Sequence, residues 1–343
     1  RRIAGITTGK YQNQPQHPGF WKSNPLLYAD KETNPYTYPP KSPFMWTQGN
    51  QVGGRSLTWG GITLRLANED FEASKDKEYE LEWPINYKDL KSHYSSIERF
   101  LKVYGSRDNI DQLPNGEYIG NIPFTQSETH FASNIKEKLN IPFIHSRGFG
   151  PNEEKNKWPR YSSLGSTLKE AIRLGKVEIL SKHIAEKLIL NKDGKSAKSI
   201  IVINQRTGER SELESKLIIL CSSTIQTIRF LLSSEEKNNS NGLIDPSQSL
   251  GMNLMDHIST CRFFTVPIDR DLKSFSAQNN NQILSGAGSF FIPIGRDRSN
   301  KKFVGGYGIW GGIDRFEPPQ FLKKFKNTKM GFLIGHGEVL ANK

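Results

Sequence analysis

The chain has 343 residues, enough for about two domains at ~150 residues each and for a large core. Its formal charge of +12 comes from basic residues interleaved with acids, as in Lys75-Asp76-Lys77-Glu78, with no basic run of five and no aromatic–basic repeat, which argues against nucleic acid as a partner. Mean hydropathy is −0.59 and aliphatic runs are as short as 217–220, far from the ~18 apolar residues of a membrane span; two cysteines, Cys221 and Cys261, exclude a disulfide framework.

Residues 1–48 are rich in Pro, Gln, Asn and Tyr, lack periodicity and read as an extended lead-in. Residues 49–61 then hold five glycines in thirteen positions: Gly49, Gly53, Gly54, Gly60 and Gly61. Glycine accepts φ > 0 and lets backbone approach a flat ligand. With Ser56, Thr58 and Trp59 among them, the glycines read either as a plain turn or as a cradle for a ring or phosphate. The alternation in 62–66 predicts a short strand. Asn86 predicts a helix cap, with Asp89 in the first turn and Tyr87, Leu90, Tyr94, Ile97 and Leu101 as one apolar face turned to the core. A further helix is predicted near 131–139, and another after Ser162 or Ser163, stopped by Gly175.

The period then changes to two. Residues 177–180, 185–190 and 199–204 are predicted strands, with Asp193-Gly194 and Thr207-Gly208 in turns. Residues 213–221 read as a buried strand and 225–232 as a helix behind it. Strand-like runs return at 261–266 and 289–294. Residues 306–311 spell G-x-G-x-x-G, but no helix can open before Pro318-Pro319, so this is rejected as a dinucleotide loop. The seven histidines are scattered, with neither H-E-x-x-H nor C-x-x-C, and no metal site is expected. His257, beside Asp256 in a Gly/Asn-rich turn, reads equally as functional or as part of a capped turn.

The ordered set of pieces carries a resemblance. Val52-Gly53-Gly54-Arg55-Ser56-Leu57-Thr58-Trp59-Gly60-Gly61 resembles the flavin-facing loop of glucose–methanol–choline (GMC) oxidoreductases. Asn34-Pro35-Tyr36-Thr37, Asp70-Phe71-Glu72 and Trp83-Pro84-Ile85 agree in order. Leu250-Gly251-Met252-Asn253-Leu254-Met255-Asp256-His257 is similar to that family's G-x-N-L-x-D-H. Gly305-Gly306-Tyr307-Gly308 and Gly335-His336-Gly337-Glu338 resemble a bacterial branch near gluconate and fructose dehydrogenases.

The resemblance implies an α/β flavoprotein of two domains. A Rossmann-like FAD domain with a β-meander would take 40–66 and 161–257. A substrate domain, an antiparallel sheet with helices, would take 67–160 and 258–343, after a lead-in of 1–39. It implies FAD as cofactor. Gly53, Gly54, Arg55, Ser56, Thr58, Trp59, Gly60 and Gly61 would line it, with Ala185 toward the adenine and Ser223, Asp256 and His257 completing the set. Thr58 stands where some relatives carry the histidine that attaches FAD covalently, so the flavin is expected to be non-covalent. Relatives carry Gly where this chain has Ser223. Tyr307 and Trp310 would either wall a substrate pocket or pack as an aromatic turn.

The family's opening βαβ unit and its catalytic histidine have no counterpart here and would lie before Arg1 and after Lys343. The chain therefore reads as a central piece, with another segment or chain supplying both. The expected activity is oxidation of the alcohol of a polar, perhaps sugar-like, small molecule in the cytoplasm, or alternatively the periplasm. The competing reading is a degenerate, non-catalytic scaffold.

Overall fold

The computed structural model describes residues 2–11, 24–32, 34–42, 44, 46–72, 83–152, 157–234, 245, 248–267, 284–295, 306–316 and 327–339. The chain forms two compact units, 1–176 with 256–339, and 177–255 with 340–343. The predictions on 73–82 and on Pro318-Pro319 lie outside the described residues.

The first unit opens on a short helix, α1 (Arg2–Thr7), where an extended lead-in was expected. Its Gly5 sits against the Tyr11 ring, and Tyr11 and Tyr28 form a small core of their own. Three more helices follow: α2 (Asn68–Glu72), α3 (Tyr87–Leu101) and α4 (Gln126–Leu139). α3 starts as predicted. The Asn86 side chain accepts from the backbone N–H of Lys88 and Asp89, and the Asp89 carboxylate accepts from the Asn86 N–H, so two orphan donors are satisfied reciprocally. It ends at Lys102, in the left-handed conformation, three residues before Gly105.

The expected apolar core face of α3 is only partly inward. Ile97 is exposed, and the buried residue is Glu98. Its carboxylate meets buried Arg65, whose Nε lies 2.8 Å from Oε1. Glu98 holds the Arg65 guanidinium well above its ordinary pKa. That pair also explains 62–66. The segment forms one isolated bridge, Ile62 to Gly148, rather than a strand, and its inward residue is the arginine.

α4 starts five residues earlier than predicted, at a capping box between Thr125 and Glu128. It covers a five-stranded antiparallel sheet in the order β1-β6-β7-β8-β5. The strands are β1 (Ile144–His145), β5 (His257–Pro267), β6 (Phe290–Gly295), β7 (Tyr307–Ile313) and β8 (Thr328–Glu338). Phe290, Ile292 and Ile313 form the core between sheet and helix, with Phe131, Phe143 and Leu333 packed against them. The G-x-G-x-x-G run becomes β7, as its rejection required. Gly308 and Gly311 are small because Phe291 and Phe290 lie across them; a Cβ there would fall 2.5 and 2.4 Å from a ring carbon. Ser162 caps a 3-10 turn (Ser163–Gly165), which leads into α5 (Thr167–Arg173), with Gly175 at φ +66 beyond its end.

The second unit is a three-stranded meander, β2 (His183–Leu190), β3 (Ala197–Asn204) and β4 (Arg210–Glu214), all antiparallel. α6 (Thr224–Leu232) packs Phe230 against Leu188 and Leu190. Two expected strands are absent. Residues 177–180 and 217–221 are extended but have no ladder partner among the described residues, and 213–221 is not a buried strand. Ile218 and Leu220 face the unit's core, while Leu217 and Ile219 are each 73% exposed.

Ser223 precedes α6 at φ 72, ψ 161, a region that glycine alone occupies cheaply. The serine is therefore strained here. Ser223→Gly is expected to raise unfolding stability by about 1–2 kcal/mol, measured by urea denaturation at unchanged m-value.

Candidate flavin-binding site

The glycine loop is fixed from within and from behind. Gly53 (φ +98) and Gly54 (φ +52) turn the chain through conformations that a side chain would strain. Residues Gly54–Leu57 then form a 3-10 turn closed by Thr58 N–H on the Arg55 carbonyl at 3.0 Å. The Ser56 hydroxyl bonds the Gly53 carbonyl and accepts the Ser163 N–H at 3.0 Å. The Trp59 indole N–H donates to the Tyr161 carbonyl at 3.0 Å, and its ring meets Phe149 edge-on with centroids 5.8 Å apart. Thr58 is buried, and its hydroxyl leans 3.4 Å from the Arg55 carbonyl.

Behind the loop runs a spine, 146–149, that sequence reasoning missed. Phe149 N–H donates to Gly61 O, Thr63 N–H to Arg147 O, Ala287 N–H to Phe149 O and Ser146 N–H to Ser289 O. Gly61 lies between two other glycines. A Cβ on Gly148 would fall 2.2 Å from Gly61 O, and one on Gly286 would fall 2.0 Å from it. The visible signals were the small-residue runs Gly148-Phe149-Gly150 and Gly286-Ala287-Gly288, which local patterning cannot assign to a partner.

The loop's other side is open. Nothing lies within 4 Å of a Cβ built on Gly54, and at Gly60 only Ile62 comes near, at 3.9 Å. Trp59 is 39% exposed. Flat backbone facing open space beside an exposed aromatic edge fits the approach of a planar ring. This face thus suits a flavin.

Asp256 and His257 belong to the same unit, at the start of β5. Asp256 accepts the His257 N–H at 2.7 Å, the turn-capping role expected of it. His257 Nδ1 lies 3.3 Å from the Glu338 carboxylate on β8, which holds the imidazole above its ordinary pKa. The next cross-strand pair places Ser259 Oγ 2.8 Å from His336 Nδ1. Burial and the neighbouring His257 push His336 down. The two rings lie 5.9 Å apart between centroids, with their pKa values moved in opposite directions. Trp310 packs on Phe332 and donates to Ser289 Oγ at 2.6 Å, so it is a packed aromatic, while Tyr307 stays exposed. Ala185 and Ser223 belong to the other unit, Ala185 at an irregularity of the β2–β3 ladder. No group of three or more potential metal ligands occurs among the described residues. No described helix is long and apolar enough to cross a membrane.

With this geometry in hand, the comparisons are specific. Residues 27–259 match the family model described as GMC oxidoreductase. The chain belongs to the GMC oxidoreductase family, and FAD is the cofactor that this membership gives it. A 2-methyl-1,2-propanediol dehydrogenase of Mycolicibacterium austroafricanum is 22% identical over 297 residues, covering 75% of this chain and 51% of that protein. A formate oxidase of Aspergillus oryzae RIB40, studied for FAD modification, superposes with a TM-score of 0.51 at 12% identity, over 87% of this chain and 61% of that one. An FAD-dependent oxidoreductase from Chaetomium thermophilum gives 0.46 at 13% identity, over 66% and 42%. The chain spans about half the length of the curated relative that it matches.

Proposed function

We propose that this chain is part of an FAD-dependent oxidoreductase that oxidises the CH–OH group of a polar, sugar-like small molecule. The observation that carries the reading is a family match across 27–259 that includes a rigid glycine loop with one open face. A relative named for a small diol is in keeping with a polar alcohol substrate. Bound FAD supplies the hydride acceptor, at flavin N5. The chain's own part would be to seat it: Gly54 and Gly60 would admit the ring, Trp59 would stand beside it, and Ser56 and Thr58 stiffen the turn. Thr58 has no nucleophilic ring nitrogen, so FAD is held non-covalently. An alcohol needs a base to take its proton before it donates hydride well.

A second reading is supported by Leu217 and Ile219. Aliphatic side chains 73% exposed on an extended, unpaired segment suit a partner segment or chain that covers them. In that reading this piece is a subunit or scaffold that is inactive until completed.

Anaerobic mixing of the intact, FAD-loaded protein with a panel of polyols and sugars tests both. Bleaching of the flavin band by at least one of them supports the oxidoreductase. A flavin that stays oxidised with every alcohol, yet is bleached by dithionite, supports the scaffold.

A further inference from the structure

Three arginines of the first unit are buried and meet a carboxylate, and a fourth is partly buried. Arg65 pairs with Glu98, Arg147 with Asp108 and Arg315 with Glu128. The fourth is Arg55, in the glycine loop. Its Nη1 is buried and has no hydrogen-bond partner, and its side chain forms no ion pair among the described residues.

A guanidinium cannot relieve burial by losing its proton, because its pKa stays above ~12. A buried donor nitrogen of a charged group is costly to leave without an acceptor. The loop does not yield easily either. The Arg55 carbonyl accepts from Thr58 on one side, while Ser56 ties the turn to Ser163 on the other. Beside it, Gly54 faces empty space. A held cation next to an open approach calls for an anionic oxygen arriving from outside, and guanidinium matches phosphate oxygens two at a time.

We infer that Arg55 is an anion-binding residue that grips the diphosphate of the cofactor, while Trp59 and Gly60, at the far end of the same loop, take the ring. The inference rests on the flavoprotein reading above. It differs from that reading in assigning the charge of the cofactor to one side chain of this chain. A carboxylate on the substrate is the other possible source of such an anion.

Calorimetric titration of the intact protein, stripped of flavin, separates these. FAD, ADP and riboflavin are titrated into the wild type, Arg55→Ala and Arg55→Lys, with thermal melts showing that each is folded. The expected result is a loss of at least tenfold in affinity for FAD and ADP in Arg55→Ala, riboflavin within about twofold, and partial recovery in Arg55→Lys. Equal losses for FAD and riboflavin would make Arg55 a mere prop of the loop and overturn the inference. Unchanged FAD and ADP affinity, with or without weaker binding of an acidic substrate, would overturn it too. If the wild type binds none of the three, the flavoprotein reading falls and this inference falls with it.

Discussion

Gly286→Ala is expected to unseat the flavin loop. The added Cβ would lie 2.0 Å from the Gly61 carbonyl oxygen, 2.4 Å from its carbon and 3.1 Å from the Gly60 oxygen. All three are backbone atoms, so no side chain can swing aside. Either 286–289 retreats, breaking the Ala287–Phe149 and Ser146–Ser289 hydrogen bonds, or the loop is pushed off its spine. Overpacking of this kind costs about 3 kcal/mol where the backbone must move. The variant should melt well below the wild type and lose at least tenfold in FAD affinity. Gly335→Ala is the control. Its φ is not in the left-handed region, and its new Cβ would meet only Thr260 Cγ2 at 3.6 Å, an ordinary contact. It should leave both readouts within error. Equal behaviour of the two variants would mean that the spine does not position the loop.

Glu128→Ala is expected to cost about 3–5 kcal/mol, the range for breaking a buried ion pair from one side. Glu128 and Arg315 are both fully buried. One Glu128 oxygen accepts the Ile313 N–H at 3.0 Å and Arg315 Nε at 2.9 Å, and the other accepts the Thr125 N–H at 3.0 Å. The carboxylate therefore caps α4 and fastens it to the end of β7 at once. Its removal takes the carboxylate away from the guanidinium, whose Nη2 also donates to the Pro123 carbonyl. Glu170→Ala removes an equally short pair, to Arg173, but both partners are exposed and screened by water, so that change should leave the melt indistinguishable from wild type. Denaturant melts of the two variants decide the matter. A small effect at Glu128 would show that the pair is not what joins helix to sheet.

What was legible in the sequence was local chemistry. The Asn86 cap, the Asp193-Gly194 and Thr207-Gly208 turns and the strands expected at 185–190 and 199–204 depend on neighbours within a few residues, and they formed where expected. What was not legible depends on distant partners. Glu98 sits on the face that periodicity gave to Ile97 because Arg65, thirty-three residues earlier, needs a counter-ion. Residues 62–66 alternate like a strand, but the segment makes one bridge, Ile62 to Gly148, and turns Arg65 inward to Glu98. Gly148 and Gly286 look like ordinary glycines until Gly61 is placed between them. The glycine loop itself was visible from composition. Its open face, its spine and the unpaired guanidinium of Arg55 were not. Ala185 and Ser223 were named through the resemblance, and they remain proposals, Ala185 for the adenine side of the cofactor and Ser223 for a position close to it.

The measurement that tests the central claim most directly is the visible absorption spectrum of the purified intact protein, repeated after acid precipitation. The account predicts oxidised-flavin bands that pass entirely into the supernatant, as FAD held by the glycine loop without a covalent bond requires. Protein that shows no flavin bands even after soaking with FAD, or colour that stays in the pellet, would contradict it.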